Sequence, residues 1–233
     1  MLNKEKNFVS AVVYVHNAEN RIVDFLNIVK SILEENFEYS EIICVNDCSQ
    51  DNSVNLIKNV SETANSTNIS ILNMSYFHGL EFAMNAGVDL AIGDFVFEFD
   101  STILDYEKSE IMKVYRRALE GYDIVSAIPN RRGKLTSRVF YAVFDQFTNH
   151  SYQMNTERFR ILSRRVINRI SSMNKTVPYR KAIYANCGLQ TDMIVYSTNF
   201  ETDCDDKQER AYKKRLAADT LILFTDVGYQ FSV

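Results

Sequence analysis

The first half of the chain alternates between strand-like and helix-like hydrophobic patterns, and this alternation limits the folds that it can adopt. Short apolar, β-branched runs typical of buried strands occupy residues 9–15, 41–45, 69–74 and 94–99. Between them, apolar residues recur at helical spacing in residues 21–35 and 79–91, and a further helix runs through residue 56. Strands that alternate with helices pair in parallel through right-handed crossovers. The pattern therefore predicts an α/β fold with a mostly parallel sheet flanked by helices.

Largely polar segments follow three of these strands, at residues 14–17, 46–51 and 100–105. In open parallel sheets, ligands bind beyond the carboxyl ends of the strands. The aspartates that we single out in these segments are Asp47, Asp51, Asp100 and Asp105. A carboxylate in this position either binds a ligand or a hard divalent cation, or simply caps the next helix. The sequence thus predicts a polar ligand site at one edge of the sheet and leaves both roles open for each aspartate.

The second half of the chain is less regular. It predicts a helix at residues 111–119, a strand at 122–127 and a helix at 164–173. A basic loop at 130–134 precedes an apolar stripe at helical spacing in residues 135–147, and such a stripe is typical either of a core or of a membrane-surface helix. Residues 205–231 are basic at first and then aliphatic. We predict one domain over residues 1–204 and a C-terminal amphipathic helical extension over 205–233.

Composition and short motifs exclude several classes of protein. The formal net charge of −4 argues against a general nucleic-acid binder. The three histidines have no metal-ligand spacing, and no G-x-S-x-G, P-loop or G-x-G-x-x-G motif occurs. The cysteines also lack metal-type spacing, which predicts reduced thiols; they are Cys44, Cys48, Cys187 and Cys204. With no signal-peptide pattern and no apolar run of membrane-spanning length, we expect a cytoplasmic protein, peripheral to a membrane at most.

Four motifs in order resemble those of family 2 glycosyltransferases. Residues 9–19 (VSAVVYVHNAE) resemble the family's first strand, and residues 41–53 (EIICVNDCSQDNS) resemble its second strand and the following turn. The small-residue helix that precedes the family's D-x-D strand is matched by Gly79, Ala83, Asn85, Gly87, Ala91, Gly93 and Asp94. The D-x-D strand itself corresponds to residues 95–100 (FVFEFD). The resemblance implies a GT-A type fold and a nucleoside diphosphate-sugar donor.

Motifs in the second half are similar to those of polyprenyl-phosphate glycosyltransferases, such as dolichol-phosphate mannose synthases and bactoprenol glucosyltransferases. Residues 122–148 and 159–165 (FRILSRR) carry this similarity, and residues 208–232 resemble the segment that leads to membrane helices in many members. The resemblance implies inverting transfer to a polyprenyl phosphate or a glycan, in polysaccharide biosynthesis of the cell envelope. It also implies a membrane surface or membrane-protein partner, and the apolar C-terminal segment would suit a homo-oligomer.

The resemblance assigns roles to individual residues. Asp47 is expected to contact the base, and Asp100 is expected to be the first aspartate of the D-x-D motif. The nucleotide-binding set is Tyr14, Asn17, Glu19, Asp47, Gly79, Asn85, Asp100, Arg131, Ser137 and Arg138, of which the last three face the diphosphate. The catalytic set is Asp100, Arg158 and Arg160. A Mg²⁺ or Mn²⁺ ion would bind at Asp100.

Three positions depart from the family pattern. Asn46 replaces the first aspartate of the usual pair, and Thr102 replaces the second aspartate of the D-x-D motif. A hydroxyl is a poorer cation ligand than a carboxylate, so cation affinity should fall unless Asp105 or Glu98 compensates. Since alternate residues of a strand share a face, Glu98 and Asp100 are expected to point the same way.

The third departure is Arg158, which stands where the family pattern has an aspartate, the acceptor base that the resemblance implies. An arginine cannot accept a proton, but it can neutralise a lipid phosphate or a leaving diphosphate. Two functions therefore stay open: an active transferase, or a catalytically impaired relative that binds a nucleotide, a glycan or a partner. A nucleotidyltransferase would need a Gly-rich basic signature after the first strand, which residues 16–21 (HNAENR) do not provide.

Overall fold

The structure is a computed structural model that describes residues 4–130, 157–173, 179–198, 211–212 and 214–216. Its strands are β1 (Val9–Val15), β2 (Ser40–Asn46), β3 (Thr67–Asn73), β4 (Phe95–Phe99), β5 (Ile124–Pro129), β6 (Phe159–Ser163) and β7 (Thr191–Tyr196). Its helices are α1 (Ile22–Asn36), α2 (Ser53–Glu62), α3 (Leu80–Leu90), α4 (Ser109–Leu119), α5 (Arg164–Ser172) and α6 (Arg180–Asn186). Residues 211–212 and 214–216 are also helical.

The seven strands form one sheet in the order β3-β2-β1-β4-β6-β5-β7. Strands β1 to β4 are parallel, and β7 is parallel to β5. Strand β6 runs antiparallel to both of its neighbours, so that its first residues lie beside the last residues of β4. Phe159 pairs with Phe99, and Arg160 pairs with Glu98. This reversed strand is the feature that completes the site described below.

Two hydrophobic layers pack on opposite faces of the sheet. Alternate β1 residues divide between them: Val9, Ala11, Val13 and Val15 join the layer under α1, α2 and α4, while Val12 and Tyr14 join the layer under α3, α5 and α6. This division follows from the period of two in a strand. The helical spacing in α1 buries Phe25, Leu26, Val29 and Leu33 against the first layer. Each such side chain stabilises the fold by about 1.5–3 kcal/mol.

The predicted mostly parallel sheet with flanking helices is confirmed, and the predicted strands and helices of the first half occur within a few residues of their expected bounds. Strand β7, helix α6 and the reversed direction of β6 were not predicted. The basic loop at 130–134, apart from Asn130, and the apolar stripe at 135–147 lie outside the described residues, as does most of the extension over 205–233. The domain division at residue 204 thus stays a prediction.

Among the residues that the structure describes, no helix is both long and apolar enough to span a membrane. In the same residues, Cys44, Cys48 and Cys187 are free thiols. Cys44 is fully buried in β2, and burial raises the pKa of its thiol to about 12.

Candidate active site

The carboxyl ends of β1, β2 and β4 lie side by side, because these three strands are parallel neighbours. Tyr14, Asp47 and Asp100, three of the predicted site residues, therefore come to one edge of the sheet. The antiparallel β6 adds Arg158 and Arg160 to the same edge from the opposite chain direction. The structure thus gathers predicted residues that are up to 146 positions apart in the chain, counted from Tyr14 to Arg160.

Asp47 follows β2 and is fully buried. Its Oδ1 accepts a hydrogen bond from the backbone N–H of His78 at 2.8 Å, and its Oδ2 accepts one from the N–H of Gly79 at 2.8 Å. The hydroxyl of Tyr14 also donates to Oδ2, at 3.0 Å. Asp47 therefore fixes the turn before α3 against the end of β2, and Tyr14 acts on that turn through Asp47.

Asn46, which replaces the first aspartate of the family pair, joins two strand ends. Its side-chain amide donates to Asn73 Oδ1 at 2.9 Å, and its own Oδ1 accepts the backbone N–H of Ser49 at 3.1 Å. An aspartate has no N–H to donate to Asn73. This substitution is thus matched to its neighbour in β3.

Asn17 and Glu19 bind the loop after β2. Asn17 Oδ1 accepts the backbone N–H of Gln50 at 2.9 Å. Glu19 and Asp51 exchange bonds across the two loops: the Glu19 N–H donates to Asp51 Oδ2, and Glu19 Oε2 accepts the N–H of Asn52, both at 2.9 Å. These side chains hold the loops after β1 and β2 together, and their predicted contact with a nucleotide stays a prediction.

Gly79 lies under an aromatic ring from the C-terminal segment. Its φ of +84° is favoured by glycine, and a Cβ built on it would lie 2.2 Å from Cε2 of Tyr212. The Tyr212 hydroxyl accepts the backbone N–H of Glu81 at 3.2 Å, and its ring meets that of Phe77 edge-on at 6.1 Å. Burial, with the nearby Glu81 carboxylate, raises the pKa of Tyr212. Tyr212 thus covers the turn that Asp47 fixes.

Glu98 on β4 and Asp100, the residue after β4, are bridged by two buried arginines. Arg160 donates from Nη1 to Glu98 Oε2 at 3.0 Å and from Nη2 to Asp100 Oδ2 at 2.7 Å. Arg180, at the start of α6, donates from Nη1 to Glu98 Oε1 at 2.7 Å and from Nη2 to Asp100 Oδ1 at 2.8 Å. Arg160 is 0% exposed and Arg180 is 1% exposed. Each oxygen of both carboxylates therefore accepts a bond from a guanidinium.

Further groups hold the two arginines in place. Arg180 Nε donates to Glu81 Oε2 at 3.0 Å, and Arg160 Nε forms an ion pair with Glu157 Oε2 at 2.8 Å. The hydroxyl of Tyr184 donates to Glu98 Oε1 at 2.9 Å. We call Glu81, Glu98, Asp100, Glu157, Arg160 and Arg180 the buried charge cluster. Burial alone would raise the pKa of Asp100, but the charges of the two arginines outweigh burial and hold that pKa well below its usual range.

Arg158, just before β6, forms a separate ion pair with Asp105 on the loop after β4. Its Nε donates to Asp105 Oδ1 at 3.0 Å, and its Nη2 donates to Asp105 Oδ2 at 2.6 Å. The Tyr196 hydroxyl also donates to Asp105 Oδ1, at 3.0 Å. Burial and the Asp105 charge raise the pKa of Tyr196. The Arg158 side chain is 12% exposed.

Comparison with known proteins shows the family of the chain. The model of the family described as Glycosyl transferase family 2 matches residues 10–175, which contain β1, β2, β4 and β6. The chain belongs to glycosyl transferase family 2. The match ends before Arg180 and Tyr212.

Two relatives and one solved structure are similar to this chain. An uncharacterized glycosyltransferase of Synechocystis is 29% identical over 197 residues, which are 81% of this chain and 60% of the relative. A prophage bactoprenol glucosyl transferase homologue of Escherichia coli is 28% identical over 194 residues, which are 81% of this chain and 62% of the relative. The chain thus spans about three-fifths of the length of both relatives.

The solved structure is glucosyl-3-phosphoglycerate synthase from Mycobacterium tuberculosis in complex with Mn²⁺, UDP and glucosyl-3-phosphoglycerate. It matches with a TM-score of 0.68 at 15% identity, over 93% of this chain and 79% of that chain. At this identity the likeness shows the fold alone, which is the GT-A fold.

That structure contains Mn²⁺, so the residues around Asp100 of this chain are compared with the ligands that a divalent cation needs. The four carboxylate oxygens of Asp100 and Glu98 each accept a guanidinium bond, and Thr102 is 4% exposed. Asp105 is paired with Arg158. No group of three or more His, Cys, Asp or Glu side chains suited to a metal occurs within the described ranges. The residues around Asp100 therefore do not fit a divalent cation.

The other predicted site residues are Asn85, Arg131, Ser137 and Arg138. Arg131, Ser137 and Arg138 lie outside the described residues, so their predicted contact with a diphosphate stays a prediction. Asn85 is half-buried in α3, about 9 Å along the helix axis from Gly79 at 1.5 Å per residue. Sequence analysis also missed Glu81, Arg180 and Tyr212. Arg180 is followed by Lys181 and then by a short, mostly apolar run, a pattern that carries no specific signal of a site.

Proposed function

We propose that this chain transfers a sugar from a nucleoside diphosphate-sugar to a polyprenyl phosphate or a glycan, with inversion at the anomeric carbon. The observation that carries the proposal is the convergence of the family motifs at one edge of the sheet, where Asp47 follows β2, Asp100 follows β4 and Arg160 lies at the start of the antiparallel β6. The bactoprenol glucosyl transferase homologue supports the polyprenyl phosphate class of acceptor. This acceptor would place the chain at the cytoplasmic face of a membrane.

The donor half of the site is rigid. Three hydrogen bonds to the Asp47 carboxylate fix the turn at His78 and Gly79, and the bonds among Asn17, Glu19 and Asp51 fix the two preceding loops. A prearranged site loses little conformational entropy when a nucleotide binds. We assign the base and ribose to this half, beside Tyr14 and the ring of Tyr212.

The acceptor half follows from Arg158. A phosphate acceptor is already an anion and needs little help from a general base. Arg158 carries a positive charge at the position of the family's acceptor base, and its side chain is partly exposed. We assign the acceptor phosphate to the Arg158 side chain, with Asp105 and Tyr196 holding the guanidinium in place. Charge-assisted bonds of this kind are among the stronger ones in proteins.

A second function is favoured by the same substitutions. Thr102 and Arg158 replace carboxylates, and Asp100 is fully occupied by arginines, which suits a module that binds a nucleotide, a glycan or a protein partner without turnover. In either case, the apolar stripe at 135–147 and the basic residues at 207–215 are proposed to meet a membrane surface, a membrane protein or a second copy of the chain.

Isothermal titration of UDP and GDP tests the donor site. We expect one of the two to bind in a 1:1 complex, and Asp47→Asn to weaken it by at least about tenfold, because the amide cannot accept all three bonds that fix the turn. Asp89→Asn, on the exposed face of α3, is the matched control and should bind as wild type does. Melting temperatures of both variants separate lost binding from lost folding. Failure of both nucleotides to bind wild type would contradict the proposal and favour a partner module.

A further inference from the structure

The buried charge cluster places two guanidinium groups where the family motif calls for a cation. Arg160 and Arg180 each span Glu98 and Asp100, with four N–O distances between 2.7 and 3.0 Å. The two carboxylates and the two guanidinium groups thus alternate in one closed ring. Only the Asp100 side chain, at 12% exposed, reaches the site edge of this ring.

The arginines are held so that they keep this position. Each Nε is paired with its own carboxylate, Glu81 for Arg180 and Glu157 for Arg160, which leaves each Nη edge facing Glu98 and Asp100. The N–H of Arg180 also donates to Glu81 Oε2 at 2.8 Å. Tyr184 lies 5.4 Å from the Arg160 guanidinium and donates to Glu98. A side chain held on both edges does not swing away at small cost.

A divalent cation at Asp100 would have to share carboxylate oxygens with these groups. Hard cations need several oxygen ligands, and in this chain Thr102 supplies a hydroxyl where the motif has a carboxylate. A cation at Asp100 would also have to displace at least one of the guanidinium bonds that Arg160 and Arg180 make to its two oxygens. Both effects act in the same direction, against the cation.

We infer that Arg160 and Arg180 take the place of the divalent cation at Asp100, so that this chain binds its nucleoside diphosphate without a divalent cation. Asp100 then serves as the anchor of two arginines and is not a metal ligand. The nucleotide part of this inference rests on the proposed function, whereas the cation part concerns only the side chains of the cluster.

Titration of the full chain with Mn²⁺ alone tests the cation part. Mn²⁺ binding at Asp100 is recognised by its loss when Asp100→Asn is added. Wild type should show no such binding, and neither should Thr102→Asp, which restores the D-x-D pattern. Thr102→Asp combined with Arg180→Ala frees Asp100 Oδ1, and it should bind Mn²⁺ at least about tenfold more tightly than Thr102→Asp alone. Thr102→Asp with Arg180→Lys is the matched control, since it keeps the charge and should not bind Mn²⁺ more tightly.

The double variant leaves Glu81 and Glu98 short of a partner, so its melting temperature is measured with and without Mn²⁺. A cation that binds only the folded state raises that temperature. Should the double variant fail to fold in either condition, the wild-type and Thr102→Asp titrations decide alone. If wild type or Thr102→Asp binds Mn²⁺ and the added Asp100→Asn abolishes that binding, the inference is overturned. If neither protein shows such binding, the inference is supported.

The nucleotide part is tested by the Kd of UDP and GDP in EDTA and in Mn²⁺. For the nucleotide that binds, the two values should agree within about threefold. A greater weakening in EDTA overturns the inference. If neither nucleotide binds in either condition, the proposed function fails, and the Mn²⁺ titrations still test the cation part independently.

Discussion

At the scale of single residues, the site depends on buried charges that lie in contact with charges of opposite sign. Arg160 and Arg180 are tolerated in the interior because every guanidinium edge meets a carboxylate. Removing one partner from such an arrangement leaves a buried charge without compensation and costs about 3–5 kcal/mol. Asp100 is the member whose charge state can be followed by experiment, because its neighbours lower its pKa.

The variant Asp100→Asn is expected to lower the free energy of unfolding at neutral pH by about 3 kcal/mol. Because the pKa of Asp100 is lower in the folded than in the unfolded state, its contribution is complete above the unfolded value of about 3.9 and is lost as pH falls toward the folded value. The difference between wild type and variant should therefore be constant from about pH 8 to about pH 5 and narrow by about 1 kcal/mol at about pH 3.

Urea unfolding of both proteins across this range measures the difference, with the exposed Asp89→Asn as control. A difference that stays constant down to about pH 3 would show that the arginines do not hold Asp100 in its charged form.

Sequence patterns predicted part of this residue network. Strand alternation placed Glu98 and Asp100 on one face, and the structure has both contacting the same two arginines. Arg180 could not be predicted in this way, since it reaches Asp100 across 80 positions and hydrophobic spacing carries no information about such long contacts. Tyr212 and Gly79 illustrate the same limit.

At the scale of elements, the antiparallel β6 and the turn before α3 determine which side chains lie at the site edge of the sheet. Parallel buried strands are readable as apolar runs, so β1, β2 and β4 were predicted. The direction of a strand is not contained in its hydrophobic pattern, so the position of Arg160 beside Glu98 was not. The helix near Gly79 was predicted from its spacing, but the turn before α3 and the ring that covers that turn were not.

Gly79→Ala is expected to destabilise the fold by about 2–4 kcal/mol, because it combines strain at positive φ with a collision between Cβ and the Tyr212 ring. In a Tyr212→Ala background, only the backbone strain of about 1–3 kcal/mol should remain. Denaturant unfolding of the two single variants and the double variant measures this coupling.

Gly188→Ala is the matched control, since Gly188 also has a positive φ, of +73°, and nothing lies within 4 Å of its Cβ position. Its loss of unfolding free energy should match that of Gly79→Ala in the Tyr212→Ala background, where the collision is absent. Additive effects of Gly79→Ala and Tyr212→Ala would mean that Tyr212 does not cover this turn in solution.

At the scale of the whole molecule, the fold and the family match agree, and sugar transfer is the property that experiment must establish. The mostly parallel sheet and the order of the motifs were predictable, because both follow from local patterns repeated along the chain. The pairing of Asp100 and Asp105 with arginines was not, since it needs elements from both halves of the chain. Whether this pairing permits transfer is what separates an active glycosyltransferase from a binding module.

Sugar transfer itself tests the central claim most directly. Wild type and Arg158→Asp are incubated with UDP- and GDP-sugars and a polyprenyl phosphate, in EDTA and in Mn²⁺, and the glycosylated lipid is measured by mass spectrometry. We predict that wild type forms product at similar rates in both conditions. Arg158→Asp should be slower by at least about tenfold, because a carboxylate beside Asp105 repels the acceptor phosphate. Absence of product from wild type with every donor, in either condition, would contradict the account.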